Sequence, residues 1–595
     1  MIDFWLHPAL ILIVGALLLP IMKSPVVRRP FLVLVPVLTF AQVLAVNAKP
    51  GVYGVVSYLN WNLTFGRVDS FSTIFAFIMG LMCIIGTVYG MHDKNQFQHM
   101  ASWFYAAGSL GVIYCADYLV LFLFWEMMSF GSVFLIWCRK GPKALMAGYR
   151  YLFVHTAGGL FLLAGFVLRY QATGGDIFFG QLDVANPQLY TYLIAIGLIV
   201  NAAVPPFHSW LPDAYAEASF NGSVFLCAFT TKTAVYACIR ALSGMDLLIP
   251  MGLVMILGAI IYGILENDSR RVLAWDIISQ VGYMIVGIGI GTPLAINGAA
   301  AHAVVHILYK SLLFMGTGSV LYMTGKTKLT ELGGLYKKMP VTMLLTLIGG
   351  LSVSAFPLFC AFVSKAMIIT AAMNQHMMWV GYLMLLASAG PFVYVCLKLV
   401  YYIFFGEECD EETMEKAAEP PLNMKIAMIF GAFMCVFVGT YVPFLYNMLP
   451  FAFVEYHPYD AYHIAETLQI LAFAGLGFFL FRRWLKPTNT ISIDLDWFYR
   501  MFGRGFIWVD KTVIETVDTW VSRIWDKVAI TCLMVVSNFW SWFDWHGIDG
   551  VVDGFARSVH GLGGQVRKLQ SGQIQYNIYF AATVLAIAIF AYAFA

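Results

Sequence analysis

One stretch of the sequence carries three ionisable side chains at helical spacing. His302, His306 and Lys310 follow one another at intervals of four residues. On a helix each is rotated by only about 40° from the one before, so all three share one face. Histidine changes its charge near neutral pH, and a buried lysine can release its proton. Together with internal water, such a row can pass protons by exchanging hydrogen bonds.

The two histidines could instead bind zinc. A zinc site needs a third ligand and usually the acid of an HExxH motif, which is absent here. The cysteines are scattered singly, with no CxxC pair, and this argues against an iron–sulfur cluster or a zinc site. We therefore favour a proton relay and expect no metal, no catalytic residue and no cofactor in this chain. Any redox centre of the assembly would lie in another subunit.

Further ionisable residues lie within long apolar runs. A charge at the bilayer centre costs about 2.5–3.5 kcal/mol on insertion scales, so such residues usually face the bundle interior and serve a function. Besides the three above, they are Glu126, Lys232, Asp276 and Lys365. For Lys365, near the end of its predicted helix, a structural role is the competing interpretation.

The elements that position these residues must be membrane helices. Of the 595 residues, 60% are hydrophobic and 11% charged, and the mean hydropathy is +0.77. Soluble domains carry about 25% charged residues. The net charge of +2 gives no sign of a nucleic-acid partner. The composition therefore excludes a soluble enzyme. We expect residues 1–22 to form a first membrane helix and not a signal peptide.

Apolar runs long enough to cross a bilayer occur about sixteen times. They lie near 8–22, 30–47, 69–91, 100–115, 117–138, 146–169, 190–204, 219–243, 247–265, 271–291, 296–323, 340–372, 378–406, 424–448, 464–482 and 573–594. With the N-terminus outside, short basic loops such as those of Arg28, Arg139 and Arg270 all lie inside. We expect a multi-pass protein of the inner (cytoplasmic) membrane with both termini outside.

Prolines interrupt two of these spans, which predicts a repeat. Pro205 and Pro206 break the seventh span and Pro357 the twelfth. Glu126 precedes Pro206 by 80 residues and Asp276 precedes Pro357 by 81. Each acid would lie in the second helix of a five-helix unit and each break in the fourth. Because five is odd, the two units should be inverted, and paired breaks are typical of a transport site.

The segment between the last two spans differs from the rest. From Trp508 to Val528 apolar residues recur at helical spacing with charged residues between them, which predicts an amphipathic helix along the membrane surface. If this helix continued to Trp545, it would be about 57 Å long. Such a helix could connect neighbouring subunits of a lateral array. The alternative is a simple peripheral membrane anchor. We expect the helix to lie on the cytoplasmic side.

The predicted fold is thus an all-α integral membrane protein of about sixteen helices. It contains two inverted five-helix repeats with broken helices 7 and 12, and an amphipathic lateral helix. The predicted parts are helices 1–3 (1–95), the first repeat (96–245), the second repeat (246–406), helices 14–15 (407–489), the lateral segment (490–572) and the last helix (573–595).

Several motifs together resemble the antiporter-like subunits of respiratory complex I, of Mrp-type multisubunit sodium/proton antiporters and of membrane-bound hydrogenases. These motifs are Phe124-Trp-Glu126, Pro206-Phe-His-Ser-Trp-Leu-Pro-Asp-Ala214, Thr231-Lys232-Thr-Ala-Val-Tyr236, Arg270-Arg-Val-Leu-Ala274, Ser279-Gln-Val-Gly-Tyr283, the stretch from His302 to Phe314, and Phe362-Val-Ser-Lys365. The middle of the chain is most similar to the D subunit of Mrp-type antiporters. The C-terminal part, including 567–576, resembles the largest antiporter-like subunit of complex I.

The resemblance implies a role for each matching residue. Glu126 would be the acid of the fifth helix, whose protonation and pairing with a lysine gate the channel. Lys232 would pass charge towards the centre and Lys365 would be the terminal charged residue of helix 12. The row from His302 to Lys310 would be the relay of helix 11. Such subunits hold a hydrated polar axis along the middle of the membrane.

Two positions depart from the family pattern. The lysine expected in the seventh helix is Asn201, which can bind water but cannot carry a positive charge. Lys232 would then substitute for it, or the N-terminal half-channel would be altered. Asp276 stands where relatives usually have serine, and its carboxylate could create a sodium site.

The favoured function is proton translocation within a multisubunit complex, through hydrated half-channels lined by buried Glu, Lys and His. The expected partners are other membrane subunits, membrane lipid and protons, with sodium as a candidate exchanged ion. The complex could be redox-driven, although this chain would hold no redox site, or could perform secondary exchange. The alternatives are a membrane component for inorganic-carbon uptake and a structural anchor with a decayed path, for which Asn201 is the main argument.

Overall fold

The fold is built almost entirely of apolar helices. A computed structural model describes residues 5–489, 496–569 and 572–594. Within these ranges, 12 helices are long and apolar enough to cross a membrane, and shorter apolar helices lie between them. Each of the predicted spans coincides with a helix or with a pair of helix segments. The all-α membrane fold is confirmed.

The first half of the chain contains ten helices and one hairpin. They are α1 (Pro8–Leu18), α2 (Pro25–Asn47), β1 (Gly51–Tyr58), β2 (Trp61–Val68), α3 (Ser70–Gly90), α4 (Gln96–Tyr114), α5 (Tyr118–Trp137), α6 (Pro142–Ala172), α7 (Leu189–Asn201), α8 (Trp210–Glu217), α9 (Gly222–Ala228) and α10 (Thr230–Leu242). The two strands pair antiparallel, from Gly51 opposite Val68 to Tyr58 opposite Trp61. The purely helical prediction missed this hairpin.

The second half continues with helices only. They are α11 (Leu248–Leu265), α12 (Ser269–Ile290), α13 (Pro293–Thr324), α14 (Pro340–Val353), α15 (Phe362–Asn374), α16 (Met378–Phe405), α17 (Glu411–Lys416), α18 (Leu422–Thr440), α19 (Val442–Tyr446) and α20 (Ala461–Leu480). Short 3-10 turns, Leu329–Glu331 and Leu335–Lys337, precede α14.

The two predicted repeats share their local geometry. Asp117 caps the N-terminus of α5 and Asp268 caps that of α12, each through its side chain. Each aspartate also forms an isolated antiparallel bridge, with Phe178 and Lys328 respectively. The same polar side chain thus satisfies free amide groups at equivalent helix starts. The inverted orientation and the domain boundaries within this part of the chain stay predictions.

The two broken helices end in the same way. Ala203 and Ala355 have left-handed φ angles of 57° and 55°. The next amide reaches back five residues, from Val204 to Ile199 at 3.1 Å and from Phe356 to Leu351 at 3.2 Å. This is the hydrogen-bond closure of a Schellman end. The chain then runs non-helically past the prolines until α8 and α15 begin.

Two further interruptions were not predicted. The eighth span is divided at Phe229, between α9 and α10. Within α16, the segments Phe392–Leu399 and Tyr401–Phe405 are π-helical. The sequence predicted uninterrupted helices in both places. No proline lies at the Phe229 break, whereas Pro391 directly precedes the π-helical segment of α16. Wide turns of this kind are frequent at functional sites.

The second unit, Trp497–Ala595, contains a long helix and the last span. The long helix runs over 496–568, with π-helical segments Asp510–Ile514, Trp525–Ile530 and Asp544–Ile548. Its length is about 110 Å at 1.5 Å per residue. The helix therefore continues past Trp545, the end expected from the sequence. The last span, α25, is Ile574–Ala593, and the α-helical parts of the long helix are α21 to α24. The predicted start of the lateral segment at 490 lies outside the described residues.

The left-handed end of α14 gives a stability prediction. A β-branched side chain tolerates this backbone region poorly, and non-glycine residues held there cost about 1–3 kcal/mol. Ala355→Val should therefore lower the free energy of unfolding by about 1–2 kcal/mol, whereas Ala355→Gly should not lower it. Thermal unfolding of both variants in detergent would test this, and equal midpoints for the two would contradict the left-handed end.

Candidate functional site

Six of the predicted pathway residues form one buried group, here called the charged cluster. Its members are Lys232 on α10, Asp276 on α12, His302, His306 and Lys310 on α13, and Lys365 on α15. Lys365 is 2% exposed and the other five are fully buried. The helices that carry them pack against α13, which is itself buried over most of its length. The cluster therefore lies inside the helix bundle.

An ion pair between Lys310 and Asp276 is the core of the cluster. Both side chains are fully buried, and Lys310 Nζ donates to Asp276 Oδ2. The other oxygen, Oδ1, accepts hydrogen bonds from Tyr394 Oη at 2.6 Å and from Gln280 Nε2 at 3.2 Å. The cation paired with Asp276 in this structure is the Lys310 ammonium; a sodium site at Asp276 stays a prediction. Removing one partner of such a buried pair typically costs about 3–5 kcal/mol.

Gln280 connects the ion pair to His302. Its Nε2 donates to Asp276, so its Oε1 is left to accept from His302 Nε2 at 3.2 Å. The other ring nitrogen, Nδ1, lies 3.0 Å from Ser364 Oγ. This network assigns the proton of neutral His302 to Nε2, with Nδ1 accepting from the serine hydroxyl.

His306 lies one turn along α13, between His302 and Lys310. Its ring centre is 6.3 Å from that of His302 and 5.2 Å from that of Tyr309. Within the described part of the chain, neither of its buried nitrogens has a hydrogen-bond partner. Buried polar groups of this kind are normally satisfied by protein or by ordered water. We therefore expect His306 to bind internal water.

Lys232 is held by the break in the eighth span. Its Nζ donates to the carbonyl of Cys227 at 2.7 Å and to Thr231 Oγ1 at 2.9 Å. Because the helix is interrupted at Phe229, the Cys227 carbonyl can face the lysine. Lys232 thus has polar ligands but forms no salt bridge among the described residues.

The break in the twelfth span serves Lys365 in a similar way. Its Nζ lies 3.4 Å from the carbonyl of Val353, the last residue of α14, where the negative end of the helix dipole favours a cation. The ammonium also lies 5.0 Å from the ring centre of Tyr283. A small cavity of about 30 Å³ adjoins Lys365; its lining is mostly apolar but includes the polar side chains of Ser354, Ser388, His463 and Thr467. Lys365 is therefore part of the interior site and not a residue reaching towards the surface.

Glu126 and Asn201 lie apart from the charged cluster. Glu126, on α5, is half-buried, and its carboxylate lies so close to Gly159 of α6 that a Cβ at this position would force the carboxylate to shift. Asn201 is the buried last residue of α7. In the ranges that the structure describes, neither Glu126 Oε1 nor the side-chain amide of Asn201 has a partner. The acid of the first half therefore has no base among the described residues.

The repeat register corrects the expected match between Glu126 and Asp276. Asp276 lies eight residues after its helix cap Asp268, and Glu126 lies nine after Asp117. The two acids differ by one position, or about 100° around the helix. They nevertheless approach equivalent points on the third helix of each repeat, Gly159 and Lys310, which both lie 17 residues after the first proline of that helix.

Sequence reasoning missed four polar residues of these sites. They are Gln280, Ser364, Tyr394 and His155. A signal for His155 existed, because it follows Pro142 at the same interval as His306 follows Pro293. Its ring stacks on Tyr151 at 3.9 Å. For Tyr394 no signal existed, since only the packing of α16 against α12 brings it to the aspartate.

Comparison with known proteins finds relatives of the segment that carries this site. Residues 115–389 match the family described as NADH:quinone oxidoreductase/Mrp antiporter, TM. The A subunit of the Na(+)/H(+) antiporter of Alkalihalophilus pseudofirmus is 27% identical over 574 residues, covering 84% of this chain and 70% of that protein. The D subunit from the same organism is 28% identical over 446 residues, covering 70% and 88%.

Solved structures show the same fold. A chain in the structure of the Mrp complex from Dietzia sp. DQ12-45-1b aligns with a TM-score of 0.71 at 23% identity, covering 89% of this chain and 62% of that one. A chain of the archaeal membrane-bound sulfane sulfur reductase aligns with a TM-score of 0.66 at 25% identity, covering 78% and 98%. Residues 115–389, the segment that matches the NADH:quinone oxidoreductase/Mrp antiporter family, contain the whole charged cluster.

Proposed function

We propose that this chain is a proton-translocating, antiporter-like subunit of a multisubunit membrane complex. The observation that carries the proposal is the fully buried ion pair of Lys310 and Asp276, set among further titratable groups inside helices long enough to cross a membrane. Ionisable groups at such a depth are expensive to insert and usually mark an ion pathway. The family match of the same segment supports this function.

The proposed path follows α13. A proton reaches Lys232, passes along the row of Lys310, His306 and His302 with the help of internal water, and leaves through Lys365. The cavity beside Lys365 supports an outlet there, because its size is sufficient for about two water molecules. The breaks at Phe229 and before Pro357 supply carbonyl groups to the two terminal lysines.

Glu126 is the proposed point of intake from a neighbouring subunit. It lies in a membrane-spanning helix, yet part of its side chain is exposed on this chain. The missing base at Asn201 favours a decayed path as a second candidate function, in which the chain only anchors its neighbours. The charged cluster argues against decay, since unused charges in a membrane interior would be lost at no functional cost.

Our proposals for the driving reaction and for the transported ion are based on the names of similar proteins. The A and D subunits of Alkalihalophilus pseudofirmus are named for Na(+)/H(+) antiport, and this supports secondary exchange of sodium for protons. The likeness to a chain of a respiratory membrane complex supports a redox-driven pump. In either case we propose that this chain itself holds no cofactor and works with other membrane subunits.

Lys310→Ala should lower proton transport by the intact complex at least about tenfold, because the relay loses its central base. Glu126→Gln should lower it as well, since an amide cannot take up the incoming proton. The measurement is quenching of a pH-sensitive dye in membrane vesicles, normalised to the amount of assembled complex. Lys143→Ala, at an exposed residue in the first turn of α6, is the matched control. Undiminished transport by the double variant Lys310→Ala/Glu126→Gln would refute the function.

The proposed sidedness can be tested with native cysteines. Cys532, on the long helix, is exposed, and Cys409, after α16, is partly exposed; both are proposed to lie on the cytoplasmic side. A membrane-impermeant maleimide should label them in inside-out vesicles and not in right-side-out vesicles. Cys532→Ser separates the two signals. Labelling in right-side-out vesicles would contradict the proposed topology.

Purification of the native complex would identify the driving reaction. The subunits are identified by mass and the visible absorption spectrum is recorded. Flavin or iron–sulfur bands together with redox subunits would establish a redox-driven pump. Colourless membrane partners would establish a secondary antiporter instead. A chain that purifies alone would contradict the proposed multisubunit assembly.

A further inference from the structure

The charged cluster contains three lysines but one carboxylate. Lys232, Lys310 and Lys365 are all buried, and Asp276 forms a salt bridge with Lys310. The helices that carry Lys232 and Lys365, α10 and α15, both pack against α12, which carries Asp276. A buried ammonium group is stable only when it is compensated. One carboxylate therefore serves three positive groups, and it can pair directly with one of them at a time.

The other contacts of Asp276 would stabilise its carboxylate even when the ion pair with Lys310 is broken. Tyr394 and Gln280 both donate to Oδ1, whereas Lys310 binds Oδ2. If Lys310 gave up its proton, these two donors would still stabilise the carboxylate. Hydrogen bonds from neutral donors are what keep a buried carboxylate ionised in the absence of a cation.

Gln280 connects His302 and Asp276 without conducting protons. An amide has no titratable proton, so it cannot relay one from the imidazole to the carboxylate. It can only orient the two groups, and it holds the His302 proton on Nε2 as described above. Gln280 is thus a positioning residue, and no proton passes through it from His302 to Asp276.

We propose that Asp276 is the shared counter-ion of the three lysines and that the transfer of its pairing from Lys310 to a neighbouring lysine is the switching step of this chain. The proposal rests on the proposed function and deepens it. In the first half, the equivalent acid Glu126 meets Gly159 instead of a lysine, and Asn201 provides no charge. The switch therefore operates in the second half of the chain.

In this step one proton leaves the cluster and another arrives, and no covalent bond to carbon changes. Lys310 releases its proton to water beside His306 and becomes neutral, and the proton that arrives at Lys232 makes that ammonium the cation opposite Asp276. The titratable groups that face the carboxylate are Lys232, Lys310, Lys365, Tyr283, Tyr309 and Tyr394. The net charge of the cluster is unchanged once the proton has passed on.

The test compares Asp276→Asn with Asp276→Glu in the intact complex. Asp276→Asn should lower proton transport at least tenfold and move the alkaline limb of the pH–transport profile to lower pH, because Lys310 without its counter-ion releases its proton more readily. Asp276→Glu should restore most of the transport. Asp69→Asn is the matched control, since Asp69 pairs with the buried Arg240 outside the charged cluster; it should leave the pH profile unchanged.

The double variant Asp276→Asn/Lys310→Met keeps the test decisive if Asp276→Asn does not assemble. Because it removes both charges, it should assemble at a normal level while transport stays lost. Normal transport and an unchanged pH profile for Asp276→Asn would overturn the counter-ion role, whereas the proposed function would stand if Lys310→Ala still abolished transport. Normal transport by Asp276→Asn and by Lys310→Ala would overturn both the counter-ion role and the proposed function.

Discussion

A positive charge inside a membrane protein must be compensated, and the site depends on how this chain does so. Lys310 has a carboxylate, Asp276, and both are fully buried. Lys232 and Lys365 instead receive main-chain carbonyls. Those carbonyls are available only because the helices are interrupted nearby. The unwound segments at membrane depth are thus explained by the charges that they stabilise, in keeping with the rule that irregular backbone occurs there only inside the protein.

The two halves share one framework but differ in their charges. Equivalent aspartates cap α5 and α12, equivalent left-handed alanines end α7 and α14, and a histidine lies at the same position of α6 and of α13. At the next equivalent position one half has Gly159 and the other Lys310. Backbone requirements therefore keep the framework alike in the two halves, while the chemistry is concentrated in the second half.

The family match and the site geometry support each other at different levels. The matched segment, 115–389, contains the charged cluster and both broken helices. The structural neighbours share the fold at 23–25% identity. In this chain Asn201 gives the first half no positive charge, while Asp276 gives the second half a buried carboxylate. This combination is what makes a single shared counter-ion physically reasonable.

The sequence by itself determined the membrane fold, the breaks at Pro206 and Pro357 and the row on α13, because hydropathy, proline and helical spacing act locally. Only the tertiary structure decided which groups meet. Tyr394 donates a hydrogen bond to Asp276 from a helix more than a hundred residues further along the chain. The break at Phe229 contains no proline from which it could be predicted. The sequence also placed Glu126 and Asp276 in equivalent positions, which a one-residue difference from their helix caps corrects. Contacts between distant helices depend on packing and register, and neither is encoded in the local pattern.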